Sequence, residues 1–282
     1  MNKILICGHR SFVASGLVDL FKKESYQVDC FTRGIEARTE NIITGDVKQI
    51  ERNPFFDTEY DIVINFILLK DCSIDENIEY VNALLNFCKQ KKVKQLIHIS
   101  SIMAYNEELP YIDESTHAEL DIHKQGYAAL KNTIDKHIEE SKTGKLTVSF
   151  VRPGFVATEQ NRTPYLIKLP FNIAVIKGSR QSILPIVMRN DIHQALINMI
   201  KLGSMEKVYL FLPSTNETKY QYAKHYYKGI IIGLPESLIR VMASMAKSCR
   251  ILNQFQYNRI KGMFKKTHYN SSKTESELHI KF

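Results

Sequence analysis

"KILICGHRSFVASGLVDLF", residues 3–21, sets a four-residue apolar run, Ile4–Cys7, directly before a glycine, a short polar turn and a second apolar stripe. Lys3–Cys7 is short and rich in isoleucine and leucine, as a strand buried on both faces requires. Beyond the turn, Phe12, Leu17, Leu20 and Phe21 fall along one helical stripe. A strand, a turn opening on Gly8 and a helix, in that order, form one βα unit. Such a turn presents backbone N–H groups where an anionic ligand can sit.

The alternation continues through the first half of the chain. "QVDCFT" (27–32), "NIITGD" (41–46), "DIVINFI" (61–67), "KQLIHIS" (94–100) and "LTVSFVRP" (146–153) are apolar, β-branched runs. Between them, "NIEYVNALLNFCKQKK" (77–92) spaces Ile78, Val81, Leu84, Leu85 and Cys88 as a helix. Strands alternating with helices predict an α/β fold, a Rossmann-type doubly wound parallel sheet with its ligands at the carboxyl ends of the strands. The expected division is a dinucleotide-binding core over 1–155 and a portion over 156–282. The latter combines a small C-terminal substrate domain with a basic helical tail, and some of its segments rejoin the core. Proline and short apolar pieces in 158–185 read as a loop region over a substrate, and the chain from Lys219 onward reads as helices.

With 282 residues, 44% of them hydrophobic, the chain has ample apolar surface for a core, which excludes a disordered or low-complexity protein. Five dispersed cysteines suggest neither a disulfide framework nor a zinc site. The nine histidines show no metal-ligand spacing, so no metal is expected. No run reaches the roughly 20 apolar residues of a membrane span, and a reduced, cytoplasmic setting is the expectation. The net charge of +8 is uneven: residues 216–282 hold 12 Lys and Arg against 4 Asp and Glu, while the rest balances. A basic tail suits an anionic substrate. A second reading is peripheral contact with anionic lipid, because "KGIIIGLPESLIRVMASMAKSCR" (228–250) pairs apolar with basic positions. No aromatic-rich or recognition-helix pattern accompanies the charge, which argues against nucleic acid.

"GYAALKNTIDKHIEE" (126–140) carries the strongest chemical signal. Leu130, Ile134 and Ile138 mark its buried stripe, and Tyr127 and Lys131, four apart, share one face. A phenol titrating near ~10 is a poor acid or base at neutral pH, and lowering it by about 3 pH units takes roughly 4 kcal/mol. A lysine cation one turn away favours the phenolate and suits Tyr127 to exchange a proton with a carbonyl or hydroxyl oxygen. "LIHISSIMAY" (96–105) precedes this helix and sets Ser100 and Ser101 at the carboxyl end of the fifth strand, where a hydroxyl can hold the reacting oxygen.

These motifs, with "GDV" (45–47), "YVNALLNFC" (80–88), "VRPG" (151–154), "PIVMRNDIHQAL" (185–196) and the closing "YNSSKTESELHIKF" (269–282), come in the order found in one family. The chain resembles the extended short-chain dehydrogenase/reductases, specifically the NAD(P)-dependent nucleotide-sugar epimerases, dehydratases and keto-sugar reductases. The resemblance implies Ser101, Tyr127 and Lys131 as the catalytic set, with Lys131 also bonding the nicotinamide ribose. It implies that Asp46 and Val47 border the adenine and Pro153 the nicotinamide. The family's G-x-x-G-x-x-G turn falls on Gly8, Ser11 and Ala14, with Phe12 and Val13 between the last two. Alanine at the third position still permits close helix packing. Serine at the second is a departure, and its hydroxyl is a candidate donor to the pyrophosphate. Phe66 and Ile67 stand where the family has small residues beside the cofactor.

At the end of the second strand, where NAD-preferring members carry an aspartate, this chain has Thr32 followed by Arg33. NADP is therefore the expected cofactor, its 2′-phosphate paired with Arg33, and NAD is the alternative. Family dehydratases carry an acidic pair after the catalytic serine or threonine, and here Ile102 and Met103 occupy those places, which disfavours dehydration. The resemblance thus leaves reduction of a 4-keto-sugar as the first reading and 4-epimerisation of a nucleotide-linked or lipid-linked sugar as the alternative. A non-catalytic NAD(P)-binding sensor on the same fold is the third. The family's diphosphate-binding arginine is replaced by Leu184, so Lys177, Arg180 and Arg189, together with Ser100, are the candidates for substrate contact. A homodimer through the Tyr/Lys helices is implied by resemblance alone.

Overall fold

The computed structural model describes residues 3–106, 109–121, 124–142, 144–214, 217–252, 256–257, 260 and 266–282. The chain runs through β1 (Lys3–Cys7), α1 (Leu17–Lys23), β2 (Gln27–Arg33), β3 (Ala37–Thr39), β4 (Ile42–Gly45), β5 (Ile62–Asn65), α2 (Ile74–Gln90), β6 (Gln95–Ile99), β7 (Tyr111–Ile112), α3 (Gly126–Ser141) and β8 (Thr147–Pro153). There follow β9 (Phe155–Ala157), β10 (Leu166–Leu169), β11 (Ile173–Ile176), β12 (Ile186–Met188), α4 (Arg189–Leu202), β13 (Val208–Phe211), α5 (Lys219–Tyr226), β14 (Ile230–Ile232), α6 (Glu236–Ser248), β15 (His268–Tyr269) and α7 (Ser272–Glu277).

Eight strands form the central sheet in the order β13, β8, β6, β5, β1, β2, β4, β3. All pair in parallel except β3, a short antiparallel edge on β4. The fold is therefore the doubly wound α/β arrangement expected from the strand and helix alternation. Strand order reverses on the two sides of β1, and that reversal opens a crevice at the carboxyl ends of β1 and β5. Alternate residues of β1 feed two cores. Leu5 and Cys7 join a cluster with Leu84, Phe87, Leu130 and Ile134 of α2 and α3, whereas Ile4 and Ile6 join Leu17, Phe21, Ile192 and Leu196 of α1 and α4. Each face is dry, which is why the strand carries no polar alternation. Helix α2 starts on a reciprocal cap: Ser73 Oγ accepts from Glu76 N–H, and the Glu76 carboxylate accepts from Ser73 N–H.

Three expectations need correction. The segment 158–185 is not loop throughout: it contains β10 and β11, a hairpin that pairs on its other side with β14. The tail from Lys219 is not purely helical, because Ile230–Ile232 supplies β14 to that sheet. Continuous isoleucines beside Gly229 and Gly233 carry a strand as readily as a helix, and pairing with β11 decides the outcome. The helix expected from Phe12 starts five residues later, at Leu17, for reasons set out below. After α4, β13 returns to the central sheet beside β8, and α7 lies against β13 through Thr274, whose hydroxyl accepts from Leu210 N–H. Among the described residues no helix is long and apolar enough to cross a membrane.

Candidate active site

Gly8 leaves β1 at the sheet's point of reversal with φ +83°, a conformation that a side chain disfavours. A Cβ there would lie 2.9 Å from Ile67 Cγ1, 3.2 Å from Ile67 N and 3.3 Å from the Phe66 carbonyl carbon. Phe66 and Ile67 thus press directly on the turn, and only glycine fits beneath them. Gly8→Ala should cost about 1–3 kcal/mol of stability, read as a lower thermal midpoint, and should also weaken nucleotide binding.

Ser11 caps a single helical turn: its Oγ accepts from Ala14 N–H at 3.2 Å and its carbonyl accepts from Ser15 N–H at 3.0 Å. Gly16, at φ +90°, then breaks the chain before α1 begins at Leu17. This break shortens the expected helix and turns Phe12 out to 56% exposure, while Leu17 and Phe21 stay buried. It also gives the Ser11 hydroxyl a role in holding the turn's own backbone. From α4, Arg189 stacks on the Phe12 ring at 5.5 Å and donates to the Phe12 carbonyl at 3.4 Å. His193 Nε2 donates to the Val13 carbonyl at 2.7 Å.

Beyond β6, Ser101 adopts extended backbone and caps a short turn over Ile102–Ala104, its Oγ accepting from Met103 N–H at 3.2 Å. Its side chain also faces the Tyr127 hydroxyl in the first turn of α3. Lys131, one turn along, is buried, and its Nζ donates to the Ile99 carbonyl at 2.6 Å. The Tyr127 ring has two lysines around it, with the Nζ atoms of Lys131 and Lys70 each 5.9 Å from its centroid. The three residues of the Ser/Tyr/Lys set therefore converge at the carboxyl end of β6. Their electrostatics differ from the phenolate expectation. Burial pushes the Tyr127 phenol up, with the Ser101 hydrogen bond pulling the other way. Burial draws Lys131 down to about 8, opposed by Asp135 and assisted by Lys70. The phenol is consequently held as a proton donor near neutral pH.

Beneath this set lies a buried polar network. Asp135, one further turn along α3, accepts from Ser100 Oγ at 2.7 Å and from Arg152 Nη2 and Nε at 3.0 and 3.2 Å. Arg152 stacks on Tyr105 at 4.5 Å. His98 Nε2 stands 3.6 Å from Asp135, and its Nδ1 meets Asn65 Nδ2 at 3.1 Å. Asn65 Oδ1 already accepts from Tyr80 OH and from Ile67 N–H, so its amide nitrogen faces His98 and the imidazole proton sits on Nε2. Burial, then Lys131 and Arg152, keep that imidazole neutral. Asn65 ties His98 to the backbone of Ile67 beside Gly8, while His98 Nε2 and Asp135 Oδ1 face each other without a hydrogen bond. Asn132 adds a second tie, donating to the carbonyls of Ala104 and Glu119.

Residues 4–174 match the NAD dependent epimerase/dehydratase family. The chain belongs to that family. No curated protein sequence matches it significantly. Among solved structures it resembles human epimerase family protein SDR39U1 (isoform 2) with NADPH, with a TM-score of 0.67 at 14% identity, covering 98% of this chain and 93% of that one. It also resembles MoeE5 in complex with UDP-glucuronic acid and NAD, with a TM-score of 0.67 at 14% identity over 99% and 93% of the two chains. A third is the UDP-glucose 4-epimerase of Thermotoga maritima with UDP-glucose, at 0.63 and 16% over 99% and 93%. At these identities the likeness is one of fold.

In this epimerase/dehydratase family member the remaining sequence-derived positions are distributed unevenly. Arg33 stands exposed at the end of β2. The Asp46 carboxylate accepts from Lys48 N–H, Val47 is buried in the core, and Pro153 is buried at the end of β8. Ser100 is corrected: it is 2% exposed and committed to Asp135, facing the network and not a substrate. Arg189 is likewise drawn to the glycine turn, though one flank lines a cavity of about 190 Å³ with Thr158, Glu159 and Asn190. Lys177 is exposed, and Arg180 stacks on Tyr220 at 4.4 Å. Sequence reasoning missed Lys70, Asp135, His98 and Asn65. Asp135 was within reach, since it lies four residues beyond Lys131 as Lys131 lies four beyond Tyr127. The left-handed turn at Gly8, at the carboxyl end of β1 where the strand order reverses, is the kind of backbone that accommodates the pyrophosphate of a dinucleotide.

Proposed function

We propose that the chain is an NAD(P)-dependent oxidoreductase acting on the keto or carbinol carbon of an activated sugar, with NADPH-linked reduction of a 4-keto-sugar as its first activity. The convergence of Ser101, Tyr127 and Lys131 at the end of β6, on the same edge of the sheet as the Gly8 turn and two strands from it, carries this reading. A bound nicotinamide nucleotide supplies the hydride. Ser101 hydrogen-bonds the reacting oxygen and orients it, and Tyr127 donates its phenolic proton to that oxygen. Lys131, anchored on the Ile99 carbonyl, favours the phenolate that the donation leaves behind. Tyr127, pushed up by burial, starts protonated as the reductive direction requires, and the nearby Lys131 cation offsets part of the cost of giving that proton up. Family membership supports redox chemistry at a sugar carbon. Solved structures of the same fold whose ligands are UDP-sugars support a nucleotide-linked one.

Because Lys131 titrates at about 8, its cation is present below that pH and lost above it. The reductive rate should therefore hold through neutral pH and decline as pH rises through about 8, checked by a kcat profile.

Equilibrium binding of NADPH and NADH to the purified protein is the first test, with Arg33→Ala alongside. NADPH should bind tighter than NADH, and Arg33→Ala should erase about tenfold or more of that preference. Equal binding of the two nucleotides in both proteins would remove NADP selectivity. Absence of binding, with no nucleotide released on denaturation, would overturn the enzymatic reading in favour of a different use of the fold. NADPH consumption with a 4-keto-sugar nucleotide marks the reductase, whereas interconversion of sugars without net cofactor turnover marks the 4-epimerase.

A further inference from the structure

The sheet of β10, β11 and β14 turns an apolar face to water. Ile167 lies opposite Val175, which pairs with Ile232, and Leu169 lies opposite Ile173, which pairs with Ile230. Strand alternation puts these six on one face, because Leu166, Ala174, Ile176 and Ile231 point the other way into a core with Tyr165 and Ala223. The solvent side of such a half-buried sheet is ordinarily polar. Here Ile167 and Leu169 are each 46% exposed and Ile230 63%. At the hairpin tip, Phe171 stands 93% exposed with φ +60°, a conformation unfavourable for a bulky residue. Helix α6 follows β14 after three residues, and its Leu238, Val241, Met242 and Met245 are exposed while it buries only Ala243.

Charge decides what can cover this surface. The segments that build the sheet, 160–190 and 218–235, contain eight Lys and Arg and no Asp or Glu. A two-fold contact with a second copy would set this patch against itself, cation against cation, around the apolar centre. An anionic lipid surface supplies hydrocarbon and negative charge together. We propose that this face docks on an anionic bilayer surface, with Phe171 and the aliphatic face of β10, β11 and β14 entering the headgroup boundary and the exposed Lys177 and Lys228 meeting lipid phosphates. The inference stands independently of the reaction the crevice performs.

Co-sedimentation of the full chain with vesicles tests it, comparing phosphatidylcholine alone with phosphatidylcholine containing phosphatidylglycerol, at low and high salt. Light scattering gives the mass of the protein without lipid. Binding should be at least ~tenfold tighter with phosphatidylglycerol and should weaken with salt, each basic residue contributing on the order of fivefold. It should fall to the phosphatidylcholine level in the Phe171→Ser/Ile230→Ser double variant, whose exposed positions leave the circular dichroism unchanged. If that variant misfolds, Lys177→Glu/Lys228→Glu replaces it. Equal binding to both vesicle types, or none, overturns the proposal. A lipid-free dimer dissociated by Ile230→Ser does so in favour of a second copy.

Discussion

Tyr127→Phe should lower kcat for sugar reduction by about 10²–10⁴-fold while nucleotide affinity stays within a few-fold. The variant keeps the ring, and with it the contacts to Lys70 and Lys131 at 5.9 Å, but removes the proton that Ser101 helps to aim. Steady-state NADPH oxidation and equilibrium binding, measured side by side, separate the two effects. A comparable loss in both would mean that Tyr127 shapes the site without transferring the proton. An unchanged kcat would move the chain towards a non-catalytic nucleotide sensor.

Arg152→Ala is expected to be the most damaging single change to stability, at about 3–5 kcal/mol, because it strands a buried carboxylate. Arg152 is 5% exposed and gives Asp135 two of its hydrogen bonds, from Nη2 and Nε. Urea midpoints check the size of the effect, and the pH dependence checks its cause. Burial already raises Asp135 above the ordinary carboxylate range, and losing the guanidinium raises it further. A raised folded-state value means that the native protein binds the proton more tightly than the unfolded chain. The deficit should be smallest below the ordinary carboxylate range and should grow as pH rises through the elevated value. Arg152→Met combined with Asp135→Leu, which removes both charges, should recover most of the loss.

The central fold was legible because β1, β2, β5, β6 and β8 are short, mostly apolar runs that alternate with helical stripes. Tyr127 and Lys131 were legible because a helix makes four-residue spacing a statement about space. The network below them was not, since Asn65, His98 and Arg152 come from three strands that only the folded sheet sets side by side. The β10–β11 hairpin escaped notice because Pro164 and Pro170 flank β10 and the outward positions of both strands are as apolar as the inward ones, leaving no period of two to read. The short α1 escaped because Gly16, inside an otherwise helical stripe, reads as tolerated; its left-handed conformation appears only with the coordinates.

The replacement of two turn glycines by Ser11 and Ala14 has a thermodynamic side. Each side chain reduces the number of conformations open to the unfolded chain by an amount worth about 0.4–1 kcal/mol when the native dihedrals accept it. Arg189 and His193 then hold the carbonyls of Phe12 and Val13 from α4. A loop tethered in this way is ordered before any nucleotide arrives, so less of the binding free energy is spent on freezing it. Its amides should already resist hydrogen exchange in the ligand-free protein, and nucleotide should add little further protection there.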